Sequence, residues 1–454
     1  MLKLYNTLTR EKEEFVPVEA GVAKVYTCGP TVYWHQHVGN FRYFIFSDIL
    51  KRVLMFNGFD VKHIINVTDV GHLTSDADEG EDKMEKAAKK EGKTASEVSH
   101  FYFDEFRNSF LKLKLIEPMK WTWATEHIPE QLETIKTLEE KGYVYVTSDG
   151  VYFDSSKFED YGKLSRKRID DLEEGKRVDM GEKKNRTDFA LWKFSKPEDK
   201  RQQEWDSPWG VGFPGWHIEC SAMAAKYLGE TFDIHTGGED HIPVHHENEI
   251  AQSNCCFDKR AVNYWVHSAF LTVKGGKMSK SLGKIETIGD LESKGIDPLA
   301  YRYLCLTAKY RKPLAWNEEA MDGAVNSYRK LKNACLALED DKKVNEEAVD
   351  KFKERVSDDL DMPGGLAVVW DLVRGEEKGK VGALKKMDEV LGLDLLEKNE
   401  VEVPKKIEEL RDKMDEARKN KNYESSDNLR SEIEKEGFKV KSIPGIPVSG
   451  LSPF

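Results

Sequence analysis

The first part of the chain alternates short apolar runs with longer stretches in which apolar residues recur at helical spacing. Residues 22–27 and 61–67 are apolar runs that predict strands, and residues 41–56 between them predict a helix. A strand–helix–strand order predicts a parallel sheet with right-handed crossovers. The Gly-x-Gly-x-x-Gly pattern does not follow the first strand, so dinucleotide binding is not indicated.

The pattern changes in the middle of the chain. Residues 71–92 are acidic and predict a loop, residues 95–113 and 126–141 predict helices, and residues 143–153 predict a hairpin. Residues 157–203 are polar and heavily charged. We interpret this middle part of the chain as an insertion that interrupts the sheet.

The second half of the chain returns to a core pattern and then becomes helical. An apolar and aromatic run at 205–223 precedes a predicted strand at 231–235 and a predicted helix at 244–254. Helical spacing then predicts four further helices, at 298–308, 318–338, 345–360 and 364–372. A separate helical hairpin is predicted after these, at 405–419 and 423–436.

Length and composition fit a protein of several domains. A chain of 454 residues has room for two to four domains, and 39% hydrophobic with 33% charged residues is ordinary for a charged globular protein. No apolar run approaches the ~20 residues that span a bilayer, and the first residues lack the apolar core of a signal peptide. Six cysteines in a chain of this length do not form a disulfide framework. These features predict a protein of the reducing cytoplasm with no membrane partner.

The formal net charge of −12 argues against a nucleic-acid partner, although binding depends on local potential rather than on the total. Lysine-rich stretches at 183–186 and 418–421 are candidate contact strips on an acidic protein. Solvated helix faces and loops are the alternative interpretation of each stretch. Composition alone therefore does not predict an RNA partner.

Two short motifs give the strongest chemical signal, and they lie far apart in the sequence. The histidine motif, His37-Val38-Gly39-Asn40, supplies an imidazole and a glycine turn where a helix begins. The lysine motif, Lys277-Met278-Ser279-Lys280-Ser281, supplies two ammonium groups and two hydroxyls in a basic loop. Such groups hold a nucleotide triphosphate and stabilise charge as pyrophosphate leaves. A chance tetrapeptide and a solvated basic loop are the alternatives, but the pair indicates an ATP-using activating enzyme.

Four residues from distant parts of the sequence form a candidate zinc site. They are Cys28, Cys220, His245 and Glu249. His245 and Glu249 are four residues apart in a predicted helix, so their side chains share one face. Cys28 ends the first strand and Cys220 precedes a helix, and strand ends and helix starts meet at one edge of a parallel α/β sheet. Thiolate, imidazole and carboxylate all bind zinc in tetrahedral geometry.

The spacing leaves alternatives to this set. Lone cysteines are more often small buried hydrophobes than metal ligands. His246 and Glu247 are adjacent to the chosen ligands and compete with them. Cys255 and Cys256 are interpreted as structural, because nothing near them in the sequence completes a metal set.

With the histidine and lysine motifs in this order, the sequence resembles the class I aminoacyl-tRNA synthetases. Longer blocks narrow the resemblance to the cysteinyl-tRNA synthetase family. These blocks occur in the family's order at residues 26–33, 66–69, 205–210, 214–223 and 245–253. The helical C-terminal half is also similar to that family.

The resemblance implies an α/β fold: a Rossmann-like, doubly wound parallel-sheet catalytic domain with an inserted connective domain, then a helical bundle and a small C-terminal anticodon-binding domain. The expected segments are 1–125 and 205–255 for the two halves of the catalytic domain, 126–204 for the connective insertion, 256–310 for a stem-contact region with the lysine motif, 311–400 for the helical bundle and 401–454 for the C-terminal domain.

The resemblance also implies ligands for several residues. The family's zinc ligands fall on the four residues of the candidate site, with one zinc ion per chain. Four positions would surround the substrate L-cysteine, namely Gly29, Thr68, Trp216 and Asp240. Asp240 would pair with the substrate ammonium and Trp216 would wall the pocket. An ordinary core aromatic is the alternative for Trp216.

ATP, accompanied by magnesium, would contact both motifs. The implied ATP-binding residues are His37, Gly39, Asn40, Lys277, Met278, Ser279, Lys280 and Ser281. Catalysis would depend on His37 at the α-phosphate and on Lys277 and Lys280 at the pyrophosphate, with Asn40 beside them. Asn40 stands where the family often has histidine. The expected reaction forms cysteinyl-adenylate and then transfers cysteine to the 3′ end of tRNA-Cys.

Zinc suits an enzyme that must choose cysteine over serine. A hydrophobic pocket separates such near-isosteres by only ~1–3 kcal/mol. A zinc ion binds the cysteine sulfur as thiolate, whereas an alcohol stays protonated and is a poor ligand. A separate editing domain is therefore not expected.

The resemblance of the final domain to the family's anticodon-binding module implies contact with the tRNA anticodon. Arg418, Tyr423 and Asp427 match positions at which the family contacts anticodon bases, and an aromatic ring stacks on a splayed base while Arg and Asp bond base edges. An exposed helical hairpin with charge pairs is the alternative. The tail departs from the family at Ser442 and lacks its usual terminal tryptophan, which puts details of anticodon contact in doubt. A monomer is expected.

Two other functions remain open at this point. A ligase that joins cysteine to an amino sugar, as in mycothiol synthesis, would share the zinc and ATP sites but would not need the C-terminal module. A regulatory, tRNA-binding paralogue without activity would be expected to lose motif lysines or zinc ligands, and all are present. The synthetase is therefore the preferred hypothesis.

Overall fold

The computed structural model describes residues 1–71, 82–166, 182–196, 201–273, 276–277, 286–398, 405–435, 438–441 and 450–453 of the chain. The protein forms two compact units, Met1–Leu395 and Leu396–Phe454. No helix among the described residues combines the length and the apolar character that crossing a membrane requires.

The first unit contains all but four of the described helices and strands. Its strands are β1 (Lys3–Asn6), β2 (Glu11–Glu14), β3 (Val22–Thr27), β4 (Asp60–Val67), β5 (Lys120–Trp123), β6 (Val144–Val146), β7 (Gly150–Phe153), β8 (Phe189–Phe194), β9 (Gly212–Pro214), β10 (Phe232–Gly238), β11 (Val262–Ser268), β12 (Leu271–Val273), β13 (Gly276–Lys277) and β14 (Leu314–Ala315). Its helices are α1 (Val38–Phe56), α2 (Lys83–Glu91), α3 (Ala95–Lys112), α4 (Ile128–Glu140), α5 (Trp216–Leu228), α6 (His245–Phe257), α7 (Ile288–Ser293), α8 (Pro298–Leu306), α9 (Glu318–Leu336), α10 (Glu346–Val356), α11 (Met362–Arg374) and α12 (Lys380–Leu391).

The central sheet has five strands in the order β11-β10-β3-β4-β5, and every described pairing in it is parallel. The chain runs outward from β3 through β4 to β5, and then continues on the other side of β3 with β10 and β11. This reversal of strand order places a crevice at the carboxyl ends of β3 and β10, where open α/β sheets bind their ligands. The predicted doubly wound parallel sheet is confirmed.

Helices cover both faces of this sheet, so most residues of β3, β4 and β10 are buried on either side. Val25 and Tyr26 of β3 and Ile64 of β4 are completely buried. The predicted helix at 41–56 begins earlier, at Val38, because the Asn40 side chain accepts a hydrogen bond from the His37 backbone N–H at 3.1 Å and closes the first turn. The histidine motif therefore forms the start of α1.

The middle of the chain forms a second, antiparallel sheet in the order β6-β7-β8-β9. The predicted hairpin is present as β6 and β7. Strand β8 lies inside the stretch 157–203, and its Phe-Ala-Leu-Trp segment is buried against α4, α5 and α6. This strand was not predicted from the sequence, because its neighbours in the stretch 157–203 are charged.

The prediction of a loop at 71–92 is wrong for residues 83–91, which form α2. Asp82 caps this helix, because its carboxylate accepts hydrogen bonds from the backbone N–H groups of Met84 and Glu85 at 2.7 and 2.9 Å. Met84 and Ala88 are buried. The Asp82 cap and the burial of a short apolar face therefore stabilise a helix in a segment of polar composition.

The four helices predicted between 298 and 372 are present as α8 to α11. Helix α10 ends at Val356 rather than at 360, because Asp359 and Leu360 have left-handed backbone conformations with φ of 58° and 53°. Helix α12 was not predicted from the sequence. These helices follow the segment with the lysine motif and form the helical part of the first unit.

The second unit contains the predicted helical hairpin, α13 (Lys405–Lys419) and α14 (Tyr423–Lys435), and an antiparallel strand pair, β15 (Phe438–Lys441) and β16 (Gly450–Pro453). It has a small core of its own. This core consists of Ile407, Leu410, Met414, Ile433 and Val440, with Leu429 packed against it.

Candidate active site and metal centre

A cavity of about 390 Å³ lies at the carboxyl ends of β3, β4 and β10. Residues 28–31 after β3, the start of α1 and the start of α5 contribute to its wall. Gly238 at the end of β10, Asp240 just after it and Ser268 at the end of β11 complete the side toward the second half of the sheet. The cavity therefore lies where the strand order reverses.

Four ligand-type side chains converge at one end of this cavity. Their ligand atoms all lie within 4.8 Å of one another, and the residues are Cys28, Cys220, His245 and Glu249. His245 Nε2 is 3.6 Å from Cys220 Sγ and 3.0 Å from Glu249 Oε1. Cys28 Sγ is 4.0 Å from the same Glu249 oxygen. All four residues are buried, so the described residues form a group that can hold a metal ion.

Elements that are distant in the sequence position these four ligands. Cys28 immediately follows β3, and Cys220 lies one turn into α5. His245 is the first residue of α6, and Glu249 follows one turn later on the same face. The packing of α5 against α6 and β3 brings the three segments together.

The electrostatics of this group suit a bound cation. Burial opposes the charged form of Glu249, but His235 and His245 outweigh it and lower the pKa of this carboxylate. Burial likewise opposes a charged His245, yet Glu249 and Cys220 raise its pKa to about 10. Two thiols, an imidazole and a carboxylate in contact form a donor set that fits zinc.

A second group overlaps the first and consists of Cys28, His235, His246 and Glu249. His246 Nε2 is 3.2 Å from Cys28 Sγ, so His246 competes with His245 for the place of the histidine ligand, as expected from the sequence. His235 was missed, because a histidine inside a predicted strand gives no spacing signal. Cys220 and His245 of the first group line the cavity. His235 and His246 of the second group are not among the described residues that line it. We therefore favour the first group.

Further histidines orient the favoured ligands. His217 Nδ1 lies 2.9 Å from His245 Nδ1, so the hydrogen bond between them fixes the His245 ring with Nε2 toward the group. His235 Nε2 lies 2.8 Å from Glu249 Oε2, which leaves Oε1 facing the thiols. His246 instead bonds through Nδ1 to His267 Nε2 at 2.7 Å.

The other competitors point elsewhere. Glu247 accepts a hydrogen bond from the Ser165 backbone N–H at 2.8 Å. Cys255 and Cys256 pack in the core beside the antiparallel sheet, and burial raises their pKa values to about 12 and 11. Their interpretation as structural residues agrees with these positions.

The four residues expected around the amino acid all line the cavity. The Gly29 N–H donates to Asn66 Oδ1 at 2.7 Å, and a Cβ at this position would lie 1.5 Å from the Asn66 carbonyl oxygen. The Thr68 hydroxyl donates to Glu219 Oε2 at 3.1 Å. The Trp216 ring centroid lies 4.4 Å from that of His245, and exposed Asp240 follows β10. The structure brings these residues together, and their roles stay predictions.

The structure describes the whole histidine motif but only the first residue of the lysine motif. His37, Gly39 and Asn40 line the cavity at the start of α1. Lys277 is described as a backbone position in β13, whereas Met278, Ser279, Lys280 and Ser281 lie outside the described residues. The backbone N–H of Val38 donates to the carbonyl of Glu286 at 2.9 Å, just beyond that segment.

The residues expected to contact the anticodon lie in the second unit. Arg418 is in the last turn of α13, and Tyr423 begins α14 with 65% of its surface exposed. Asp427 lies one turn further along α14 and therefore on the same side as Tyr423.

Comparison with known proteins agrees with this fold. The sequence model described as "tRNA synthetases class I (C) catalytic domain" matches residues 14–326. The structure is similar to that of Mycobacterium tuberculosis methionyl-tRNA synthetase in complex with methionyl-adenylate, with a TM-score of 0.58, 14% identity, and coverage of 82% of this chain and 88% of that one. A class I synthetase fold therefore surrounds the site, and this class acts on a tRNA, ATP and an amino acid.

Curated relatives narrow the class to one family. A protein named Cysteine--tRNA ligase 1 from Burkholderia lata is 48% identical over 98% of this chain and 95% of its own length. Cysteine--tRNA ligase from Treponema denticola is 41% identical over 98% of both chains. The chain belongs to the cysteine–tRNA ligases, the cysteinyl-tRNA synthetase family. The predictions of the family, the α/β fold class and the ligase activity are thereby confirmed.

Proposed function

We propose that the protein charges tRNA-Cys in two steps inside the cavity. The carboxylate of L-cysteine attacks the α-phosphate of ATP, which forms cysteinyl-adenylate as pyrophosphate leaves. A ribose hydroxyl at the 3′ end of the tRNA then attacks the adenylate carbonyl, which forms the ester as AMP leaves. The observation that supports this proposal most strongly is the ligand group Cys28–Cys220–His245–Glu249 at the end of the cavity.

One zinc ion per chain, held by this group, would act as a Lewis acid that binds the substrate sulfur as thiolate. Other residues of the cavity would surround the bound cysteine. Gly29 leaves space beside the Asn66 carbonyl, and Trp216 stands against His245 at the wall. Asp240 would pair with the substrate ammonium, because it is a carboxylate at the cavity edge beyond β10.

The start of α1 would receive the ATP phosphates. His37, Gly39 and Asn40 at this helix start line the cavity, so the positive end of the α1 dipole lies beside it and favours an anion there. His37 would donate to the developing charge on the α-phosphate, with Gly39 allowing close approach. Lys277 and Lys280 would bind the pyrophosphate together with Mg²⁺.

Transfer to tRNA rather than to an amino sugar is supported by the second unit. The curated relatives named cysteine–tRNA ligases align with 98% of this chain, which includes that unit. Its residues Arg418, Tyr423 and Asp427 would contact the anticodon, with the exposed Tyr423 ring available for stacking. An amino-sugar ligase has no use for such a unit.

A monomer in a reducing cytoplasm completes the proposal. All six cysteines are buried free thiols, which fits a protein whose ligands must stay reduced. The monomeric state stays an expectation, and analytical ultracentrifugation at working concentration tests it.

Cysteine-dependent ATP–pyrophosphate exchange, measured beside serine and followed by tRNA-Cys charging, tests the proposed function. We expect exchange with cysteine, little exchange with serine, and stable charging of the tRNA. An amino-sugar ligase would pass the exchange test and fail the charging test. Equal exchange with serine would contradict the role given to the ligand group.

A further inference from the structure

One part of the cavity wall is a short stretch of chain where β11 passes into β12. Residues 268–271, which we call the wall segment, all line the cavity. Strand β12 then pairs with β13 in antiparallel register, and β13 ends at Lys277, the first residue of the lysine motif. The wall segment therefore connects the end of the central sheet with the strand pair in which the lysine motif begins.

Two charged side chains hold the middle of the wall segment. The guanidinium of buried Arg42 donates a hydrogen bond to the Phe270 carbonyl. The Phe270 N–H donates to Glu239 Oε1 at 2.9 Å. Arg42 lies on α1, two residues after the histidine motif, and Glu239 directly follows β10. The backbone of Phe270 is therefore fixed to two different elements of the site.

The same guanidinium also reaches the strand that pairs with β12. It donates to the Lys312 carbonyl, two residues before β14, and β14 runs parallel to β12 in register with it. The Leu314 N–H donates to the Phe270 carbonyl at 3.2 Å, so this carbonyl joins both strands and Arg42. A planar guanidinium presents its donors as a rigid fork, whereas the ammonium of lysine is a single point. Arginine is therefore suited to bridging the two carbonyls.

Arg42 is placed to act on the backbone rather than on a ligand. Only 4% of its surface is exposed, and it is not among the described residues that line the cavity. Burial lowers the pKa of Arg42, while Glu239 favours its charged form, and an arginine stays protonated under such conditions. A buried charge is costly unless its donors are used, and here the guanidinium donates to two carbonyls.

Helix α1 also contacts the chain beyond the lysine motif. The backbone N–H of Val38, inside the histidine motif, donates to the Glu286 carbonyl at 2.9 Å. The helix that carries the histidine motif is thus bonded to the chain at Phe270, before the lysine motif, and at Glu286, after it. These contacts set the position of the histidine motif relative to both flanks of the lysine motif.

We propose that Arg42 and Glu239 are positioning residues for ATP. They hold the wall segment and β12 against α1, so that one nucleotide meets the histidine motif and the start of the lysine motif in a fixed geometry. This inference rests on the proposed use of ATP. Neither residue touches the reacting atoms, and metal binding by the ligand group does not depend on them.

Arg42→Lys is the main test, because it keeps the charge and most of the stem but cannot bridge the two carbonyls as a fork. In cysteine-dependent ATP–pyrophosphate exchange, we expect the KM for ATP to rise roughly 10-fold and kcat to fall severalfold. The KM for cysteine and the bound metal per chain should stay within about twofold. Backbone hydrogen exchange should become faster across 268–272 and 314–316 but not in β4. An unchanged KM for ATP, or an equal rise in both KM values, would overturn the proposal.

Arg52→Lys is the matched control on the same helix. The Arg52 guanidinium likewise donates to two backbone carbonyls, those of Glu389 at 2.7 Å and Lys114 at 2.5 Å, but it lies away from the wall segment. We expect a lower thermal unfolding midpoint and unchanged KM values for ATP and cysteine. A rise in the KM for ATP as large as that in Arg42→Lys would show a general loosening of α1 and would contradict the role given to Arg42.

Glu239 provides a second test that leaves the buried guanidinium in place. Glu239→Ala removes the acceptor of the Phe270 N–H, whereas Glu239→Gln keeps an acceptor oxygen. We expect the KM for ATP to rise roughly three- to tenfold in the alanine variant and less than about twofold in the glutamine variant. Equal effects in the two variants would show that the hydrogen bond does not position the wall segment. Absent exchange in the unmodified protein would instead refute the proposed function itself.

Discussion

At the scale of single residues, His63 shows how burial changes a side chain's chemistry. Its ring lies inside β4, and its Nε2 is 2.8 Å from the Thr27 hydroxyl oxygen. Burial, assisted by the Lys51 charge, lowers the pKa of His63 to about 3. The folded protein therefore holds a neutral imidazole at pH values where the unfolded chain is protonated.

Folding stability should consequently fall as the pH drops below about 6.5, the ordinary pKa of histidine, toward 3. In that window the unfolded chain binds the extra proton, so His63 removes up to about 1.4 kcal/mol per pH unit. His63→Gln should flatten the dependence of the free energy of unfolding on pH between 6.5 and 4.5, measured by urea titration. His100→Gln, at an exposed site of α3, is the control, and an unchanged slope in His63→Gln would contradict this account.

The metal ligands show what could be predicted residue by residue. The helical spacing of His245 and Glu249 was sufficient to place them on one face. Spacing alone did not choose between His245 and His246, and the family resemblance gave His245; in the structure both rings approach Glu249 Oε1, at 3.0 and 3.9 Å. Their relation to the cavity depends on how α6 packs, which is not visible in local sequence.

At the scale of elements, α1 is held at both its start and its middle by α8. The Tyr301 hydroxyl donates to the Val38 carbonyl at 2.5 Å, next to His37. The Arg302 guanidinium donates to Asp48 Oδ2 at 2.6 Å, and both side chains are buried. Helix α8 therefore fixes the helix that presents the histidine motif to the cavity.

Tyr301→Phe removes one hydrogen bond at the start of α1 and leaves the ring in place. We expect a stability loss of about 1 kcal/mol and a severalfold lower kcat for cysteine-dependent ATP–pyrophosphate exchange, with the KM for cysteine unchanged. Tyr303→Phe on the same helix is the control, because its hydroxyl contacts Trp370 at 3.2 Å instead. Equal kcat values in the two variants would remove Tyr301 from the positioning of α1.

Elements with strong periodicity were predictable, and elements decided by tertiary contacts were not. The strands β3 and β4 and the long helices α1, α3 and α9 follow from apolar spacing. Strand β8 is apolar for only a few residues within a charged stretch, and it becomes a strand because it pairs with β7 and β9. Helix α2 depends on the Asp82 cap and on burial of Met84.

At the scale of the whole molecule, the two compact units separate the predicted chemistry. The cavity and the ligand group lie within Met1–Leu395, and the residues expected at the anticodon lie within Leu396–Phe454. Each unit has a buried core of its own. Under the proposed function, cysteine would be activated in the first unit, and the second unit would contact the anticodon.

Removing residues 396–454 should therefore spare cysteine activation and impair tRNA charging. We expect ATP–pyrophosphate exchange within about twofold of the full chain and a kcat/KM for tRNA-Cys lower by two orders of magnitude or more, which corresponds to roughly 3 kcal/mol of lost binding. The thermal unfolding midpoint of the shortened protein serves as the folding control. Unchanged charging would show that the second unit does not contribute to tRNA recognition.

The most direct test of the account is whether the substrate sulfur joins the ligand group. Cobalt(II) in place of zinc gives thiolate-to-metal absorption that grows with the number of bound thiolates. We predict that L-cysteine increases this absorption in the cobalt-substituted protein, that serine does not, and that a Cys220→Ser variant loses stoichiometric metal. An unchanged spectrum on adding cysteine, or a fully loaded and active Cys220→Ser protein, would contradict the central claim.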